Sequence, residues 1–413
     1  MKRKLCLISN GQPSTNPRLV RDANILAESG YDVRVVTAQI VSTLVAHDTT
    51  LAGPAKWRYE PVVFHRWSNG SPSWSYIRAR RRMAAAFARW LRTEGLVARA
   101  SGYATPELAA AAARLPADLF IAYQHNSLPA AAWAAQKHHA PFALDAQDLL
   151  ADCRAEAVRL IQSIERRYLK DCAYVSTMSA AAATRLRETN RLTRDPIVLR
   201  NMPRMCERDG VMPPNGRDRS KPLSMYWFGQ TIGRGSCADQ ILEALPLLSA
   251  PVHLALRGSS DDAFVTQLRQ RAQALGLNER LSILPRAEPT EMVRLAAEHD
   301  VLFGSQPGSE LFNQMAIGNK VFTGMMAGMA LALSDTIAHR ELLAEASGCG
   351  FLFRDGDIKS LAAQLDKLIA NPDELQRLKV GSWEMAEKKF NWGEESKILL
   401  NEIDLILPAA MIA

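Results

Sequence analysis

The sequence predicts an α/β protein of two parallel-sheet domains of like architecture, and three observations carry that expectation. The chain has 413 residues, a length that suits two compact cores better than one. A strand, a glycine loop and a helix follow one another twice, first at Lys4–Ser9 with Gly11, then at Ser224–Phe228 with Gly229 to Gly235. Each such start opens a βαβ unit, which requires a parallel sheet. Between them lies 205–222, charged and rich in Pro and Gly, which reads as a linker.

The first strand, Lys4–Ser9, is a short apolar run ended by the Asn10-Gly11 turn. Asn16-Pro17 opens a helix, proline being suited to the first helical position. Leu19, Ala23, Leu26 and Ala27 give it one apolar face and Gly30 closes it. Tyr31–Thr37 is the second strand. Ligands of such sheets sit at the carboxyl ends of the strands, which puts Asn10, Gly11 and Arg18 beside a site. No G-x-G-x-x-G follows the strand, which argues against a nicotinamide dinucleotide. Val62–Trp67 reads as a strand and 68–75 as a loop. The next helix carries Arg78, Arg80, Arg81, Arg82, Arg89 and Arg92 among Ile77, Met83, Phe87, Trp90 and Leu91. Two readings stay open for Arg78–Arg92: a helix packed on the domain with a solvated basic face, or one that rests on an anionic membrane. Asp118–Tyr123 is a strand with Gln124-His125-Asn126 at its carboxyl end. Pro141–Leu144 is another, ended by Asp145-Ala146-Gln147-Asp148. Ala155–Tyr168 is a helix, Tyr174–Met178 a strand, Ser179 a helix cap and Ile197–Leu199 a strand.

In the second half the glycine loop feeds a helix, Ala238–Leu248. Strands follow at Val252–Arg257, with Gly258 after it, and at Leu281–Leu284. Thr290 is expected to cap a helix over Glu291–His299, and Val301–Gly304 is a short strand. The richest stretch is Asn313–Asp335: a polar loop with Asn313, Asn319 and Lys320, a short helix, Val321–Ala327, closed by Gly328, and an apolar strand. A lysine in the first turn of a helix, with free backbone N–H groups, makes an anion site; an ordinary crossover with a surface lysine stays open as the alternative. Helices follow at Thr336–Glu345, Ile358–Ile369, Pro372–Val380 and in the last segment, with a strand at Gly350–Phe353.

Composition sets the outer bounds. Hydrophobic residues at 47% and charged residues at 23% are ordinary for a globular protein. Six scattered cysteines form no C-x-x-C and no zinc spacing, and read as reduced thiols of a cytoplasmic protein. The amino terminus has too short an apolar run for a signal peptide, and no run of about 18 apolar residues exists. The net charge of +7 points to an anionic partner. No aromatic–basic motif supports nucleic acid as that partner. Asp355-Gly356-Asp357 has a D-x-D pattern but reads as a polar turn before a helix, since two carboxylates do not define an octahedral metal site; no metal and no cofactor is expected.

Taken together, Asn313, Asn319-Lys320, Phe322, Met325, Ala327-Gly328 and Ser334-Asp335 resemble the donor-binding segment of retaining GT-B glycosyltransferases, family 4-like (group 1). Weaker likenesses run in order along the chain: the D-x-H-E/D segment at Asp145 to Asp148, the turn Arg200 to Pro203, and the G-R-x…K-G loop at Gly229 to Gly235. The resemblance implies two Rossmann-like domains facing a cleft: 1–204 on the acceptor side, 205–222 as linker, 223–385 for the nucleotide sugar, and 386–413 as a helix returning to the first domain. It implies transfer of a sugar from a nucleoside-diphosphate sugar to a glycan, lipid-linked or small-molecule acceptor, with retention. Arg234, Lys320 and Gln147 are then the catalytic candidates. Gly229, Gln230, Gly235, Arg257, Gly258, Asn313, Asn319 and Thr323 are the donor-binding ones, and Gly11, Arg18, His125 and Asp148 the acceptor-side ones. A place at the inner face of the membrane follows if the acceptor is lipid-linked. Departures are clear: Thr323 and Met315 stand where the family has its E-x7-E glutamates, Gln147 where it has histidine, Gln230 where it has arginine, and Arg234 where it has lysine. The resemblance therefore leaves a second reading open, a catalytically impaired nucleotide-binding or partner subunit.

Overall fold

The computed structural model describes residues 2–64, 72–91, 94–147, 149, 158–218, 220, 222–308 and 310–408. In chain order the first unit holds β1 (Lys4–Ser9), α1 (Pro17–Glu28), β2 (Asp32–Gln39), α2 (Val45–Ala52), β3 (Arg58–Val63), α3 (Pro72–Leu91), α4 (Glu94–Ser101), α5 (Thr105–Ala112), β4 (Leu119–Tyr123), α6 (Leu128–His138), β5 (Phe142–Asp145), α7 (Val158–Tyr168), β6 (Val175–Thr177), α8 (Ala180–Asn190) and β7 (Ile197–Val198). The second holds β8 (Ser224–Ile232), α9 (Ala238–Ala244), β9 (His253–Ser260), α10 (Asp262–Ala274), β10 (Leu281–Leu284), α11 (Met292–Ala296), β11 (Val301–Gly304), α12 (Leu311–Met315), α13 (Asn319–Met326), β12 (Ala330–Ser334), α14 (Ile337–Glu345), β13 (Gly350–Phe353), α15 (Ile358–Ala370) and α16 (Pro372–Lys388). The last helix, α17 (Trp392–Ile406), starts in the second unit, and from Ser396 onward its residues belong to the first. There Tyr31 donates to Asp404 and Arg194 to Glu402.

Both sheets are parallel throughout, with strand orders β3-β2-β1-β4-β5-β6-β7 and β10-β9-β8-β11-β12-β13. These are the same doubly wound order, so each sheet reverses direction once, between β1 and β4 and between β8 and β11. A crevice opens at such a switch point because the flanking connections leave on opposite faces. The central strands are buried on both faces, which is why they read as continuous apolar runs: Leu5 to Ile8 and Leu331 to Leu333 are at most 1% exposed.

Several expected bounds moved. β8 runs on to Ile232, past the expected glycine loop, through a bulge between Phe228 and Thr231. The expected polar loop around Asn313 holds a short helix, and α13 starts at Asn319. Thr290 caps nothing: it lies in a 3-10 turn, Pro289–Glu291, and the helix begins at Met292. The third strand lies at Arg58–Val63, earlier than Val62–Trp67, and α2 and α5 had no clear signal. The 68–71 part of the expected loop, Arg92, Asp148 and Cys153, and the side chains of Arg89, Trp90 and Leu91, lie outside the described residues. The five described cysteines are free thiols.

Candidate functional site

In the second unit the switch point is flanked by the turn after β8 and the loop after β11. Lys320, in the first turn of α13, is half-buried, with its Nζ 4.4 Å from the ring centroid of Trp227 on β8. Among the described residues it has no carboxylate or hydrogen-bond partner. Burial lowers its pKa to about 8, against a small opposing effect of the Cys237 thiol. Beside that thiol the 3-10 turn Arg234–Ser236 carries Arg234 and Gly235, both exposed, and Arg234 too has no partner among the described residues. Two cations thus stand near the carboxyl end of β8, with no protein anion among the described residues to neutralise them. That arrangement suits a bound anion, since an unpaired, partly desolvated ammonium gains most from an incoming negative charge.

The other expected donor-side residues divide. Asn319 is exposed at the first position of α13, Asn313 is half-buried on α12, and Gln230 is exposed on β8. Gly229 and Gly258 serve the fold: a Cβ on Gly258 would lie 2.7 Å from the Gly229 carbonyl oxygen, so the two glycines let β8 and β9 approach. Arg257 is largely committed, donating to Tyr226 Oη at 2.7 Å and to the Pro285 carbonyl at 2.9 Å. Thr323 is buried, and its hydroxyl bonds back to the Asn319 carbonyl at 3.2 Å, an ordinary use of a mid-helix threonine. Met315 is buried as well. Both carboxylates of the D-x-D stretch are used locally: Asp355 accepts from Gln240 and from the Gly308 N–H, and Asp357 caps α15 through Ser360. No group of three His, Cys, Asp or Glu suited to a metal occurs among the described residues.

Two residues beside this site had no signal in the sequence. Trp227 is 3% exposed and its indole N–H has no acceptor among the described residues. His339, capped into α14, is wholly buried, and burial lowers its pKa to about 4. It is therefore neutral, with Nδ1 2.9 Å from the Ser334 carbonyl as donor.

In the first unit the polar strand ends hold one connected network. Gln147 has φ 55 and Gln124 has φ 66 with ψ 157, both unusual for residues with a Cβ. The Gln147 amide nitrogen donates to Asn16 Oδ1 at 3.1 Å and to Asp145 Oδ2 at 3.2 Å, and its oxygen accepts from Gln124 Nε2 at 3.3 Å. Asp145 also accepts from Ser176 at 2.8 Å and lies 3.3 Å from Arg18 Nε. Behind it Asp22 accepts from Tyr123 Oη at 2.6 Å. Burial, then the Asp145 charge, raises the Asp22 pKa to about 7, with Arg18 opposing.

This geometry corrects two acceptor-side expectations. Arg18 is 4% exposed and its charge is spent on Asp145 within the domain. His125 is wholly buried with Nε2 2.9 Å from Glu165 of α7, so it sits inside the domain instead of facing an open site. Gly11 does lie at the carboxyl end of β1, its N–H bonded to Ser9 Oγ at 3.0 Å. Gln147 is at the strand end as expected, but its amide nitrogen is spent on protein acceptors.

Two doubly wound parallel sheets in one chain are the architecture that GT-B two-domain proteins share. Residues 15–201 match the glycosyl transferase 4-like domain and residues 237–382 match the glycosyl transferases group 1 domain, so the chain carries both domains of a glycosyltransferase of this kind. Among solved structures it is similar to Anabaena HepE in complex with UDP, at 16% identity and TM-score 0.71, covering 98% of this chain and 100% of that one. A glycosyltransferase from Rickettsia africae ESF-5 follows at 12% identity and TM-score 0.69, covering 99% and 100%. Sucrose-phosphate synthase from Thermosynechococcus elongatus gives 14% and 0.70, again covering 99% and 100%. No curated protein sequence matches the chain.

Proposed function

We propose that this chain transfers a sugar from a nucleoside-diphosphate sugar to a glycan, lipid-linked or small-molecule hydroxyl acceptor, with retention of configuration. The carrying observation is the unpaired, half-buried Lys320 ammonium in the first turn of α13, beside the turn that bears Arg234. As the bond from the anomeric carbon to the diphosphate breaks, its electron pair goes to the phosphate oxygen. A positioned cation stabilises that charge more in the transition state than in the ground state. The acceptor oxygen bonds to the anomeric carbon on the same face, and its proton leaves with the phosphate. In this reading Arg234, Lys320 and the α13 N-terminus take the leaving-group charge, and neither metal nor cofactor is invoked. The structure of HepE with UDP supports UDP as the first nucleotide to try.

The acceptor reading includes a membrane. On α3, Tyr76, Met83 and Phe87 are exposed at spacings of seven and four, which align them on one stripe; Arg78 and Arg82 are exposed too, roughly a third to half a turn round the helix from it. Arg80 and Arg81 are not part of this surface, since they bind Glu107 and the Ala100 carbonyl. A lipid-linked acceptor would place the protein at the inner face of a membrane; none of its described helices is long and apolar enough to cross one.

Thr323 and Met315, in place of two acids, favour a second reading: a nucleotide-binding subunit without turnover. Calorimetry with UDP and uridine, and hydrolysis of UDP-glucose and a panel of other nucleotide sugars, separates the two. The transferase reading expects UDP to bind more tightly than uridine and at least one nucleotide sugar to be turned over. Binding without any turnover leaves the subunit reading, and absence of UDP binding with absence of turnover removes the first proposal.

A further inference from the structure

Hydrogen-bond bookkeeping at the ends of β4 and β5 singles out a residue that the sequence did not. An amide has two N–H donors and one oxygen acceptor, and its orientation follows from its partners. Asn16 Oδ1 is fixed as an oxygen because it accepts from the Leu19 N–H, and the Asp145 carboxylate is an acceptor. The Gln147 nitrogen must therefore face both, at 3.1 and 3.2 Å. Its oxygen is then turned to Gln124, which must present its own nitrogen across the 3.3 Å contact. What remains is the Gln124 oxygen and one Gln124 N–H, neither with a partner among the described residues. Gln124 is half-buried at the carboxyl end of β4, beside the switch point.

We propose that Gln124 binds hydroxyl groups of a neutral sugar acceptor, with Gln147 locked behind it as the residue that orients its amide. The proposal rests on the glycosyltransferase reading and narrows its acceptor. A free acceptor and a free donor on one rigid amide match a pair of neighbouring hydroxyls, each of which both donates and accepts. A phosphate or carboxylate offers only acceptors and would face the Gln124 oxygen unfavourably; an ammonium would face its N–H. The backbone gives independent support. At φ 66 and ψ 157 Gln124 occupies a region that is essentially glycine's. The fold alone would be better served by glycine there, so the side chain is kept against a conformational cost. Strain of this kind gathers at ligand-binding positions.

The test uses the full chain with saturating UDP and methyl α-glucoside, methyl α-galactoside and methyl α-mannoside as probes in saturation-transfer NMR. The wild type is expected to give a signal with at least one glycoside. Gln124→Leu and Gln124→Gly are expected to lower it roughly fivefold, the loss of one or two neutral hydrogen bonds. UDP binding is expected to stay unchanged in both. Gln124→Gly is also expected to melt about 2–4 °C higher, as relief of backbone strain in a unit of this size predicts. No glycoside signal in the wild type, unchanged signals in the variants, or a lower melting point for Gln124→Gly overturns the proposal while leaving UDP binding intact. Failure of the wild type to bind UDP overturns the glycosyltransferase reading, and this proposal with it.

Discussion

Lys320 offers the sharpest handle on the donor reading, because its charge is set by its burial. The ammonium rests on the Trp227 face at 4.4 Å, with a pKa lowered to about 8 by desolvation. At pH 7 it is about 90% charged, and at pH 9 only about 10% charged. A bound diphosphate holds it charged, so binding above pH 8 must take up a proton. The affinity for UDP is thus expected to fall about tenfold between pH 7 and pH 9. Removing the ammonium altogether, in Lys320→Ala, forfeits a charge-assisted contact of roughly 1.5–3 kcal/mol, or about one to two decades in affinity. Lys320→Arg keeps a charge that does not titrate below pH 12, so its affinity should be flat over the same range. Titration calorimetry in two buffers of different ionisation enthalpy reads both the affinity and the proton uptake. A wild-type affinity that stays constant from pH 7 to 9, or one that Lys320→Ala leaves unchanged, would refute the assignment of Lys320 to the diphosphate.

Three further outcomes follow from named contacts. Asp22 is raised to about 7 in the folded protein, above its unfolded value near 4. Its protonated form is favoured by folding, so that contribution is complete below pH 4 and is lost as pH rises through 7. Asp22→Asn, which can still accept from Tyr123, should therefore gain melting temperature over the wild type at pH 8.5 and little at pH 4, measured by scanning calorimetry; equal differences at both would count against it. Gly258→Ala forces a Cβ to within 2.7 Å of the Gly229 carbonyl, a rigid backbone contact. A cost of about 1–3 kcal/mol should appear as a lower urea midpoint with unchanged slope. On the α3 surface, Phe87→Ser and Arg78→Ser with Arg82→Ser should each weaken flotation with phosphatidylserine vesicles, the arginine pair more so at low salt; equal flotation of all forms with neutral vesicles would speak against anionic lipid.

The strands were legible because central parallel strands are apolar runs bounded by glycine and polar residues, as Leu331 to Leu333 show. The helix that carries Lys320 was legible for a local reason, a lysine and asparagine after Gly318. What sequence did not disclose were long-range pairings. Nothing near Arg18 announces that its charge is matched by Asp145, 127 positions away, or near His125 that Glu165 faces it. The same holds for Trp227 beneath Lys320. Gln230 and Gly229 were misjudged as loop residues because a β-bulge carries a strand through a glycine without an apolar signal. Gln124 stayed hidden because a glutamine at a strand end has no pattern; only its dihedral angles and the direction of its amide distinguish it.

The stretch 205–222 has a bearing on how such chains can be recombined. Arg217 donates to the carbonyls of Ala327 and Gly328, at the far end of the helix that begins with Asn319 and Lys320. Pro214 is buried, Asn215 accepts from Gln376, and Arg208 is stacked on Trp383. Through 205–218 a segment whose composition suggests a loose tether is a strap that closes the carboxyl end of the Asn319–Met326 helix, where a guanidinium complements the helix dipole. Its length is therefore fixed by contacts rather than by loop-closure entropy. Exchange of the second domain between relatives must carry the strap along: a junction before Met205 keeps Arg208, Pro214 and Arg217 with the helix they support, and one at Asp218 separates them from it.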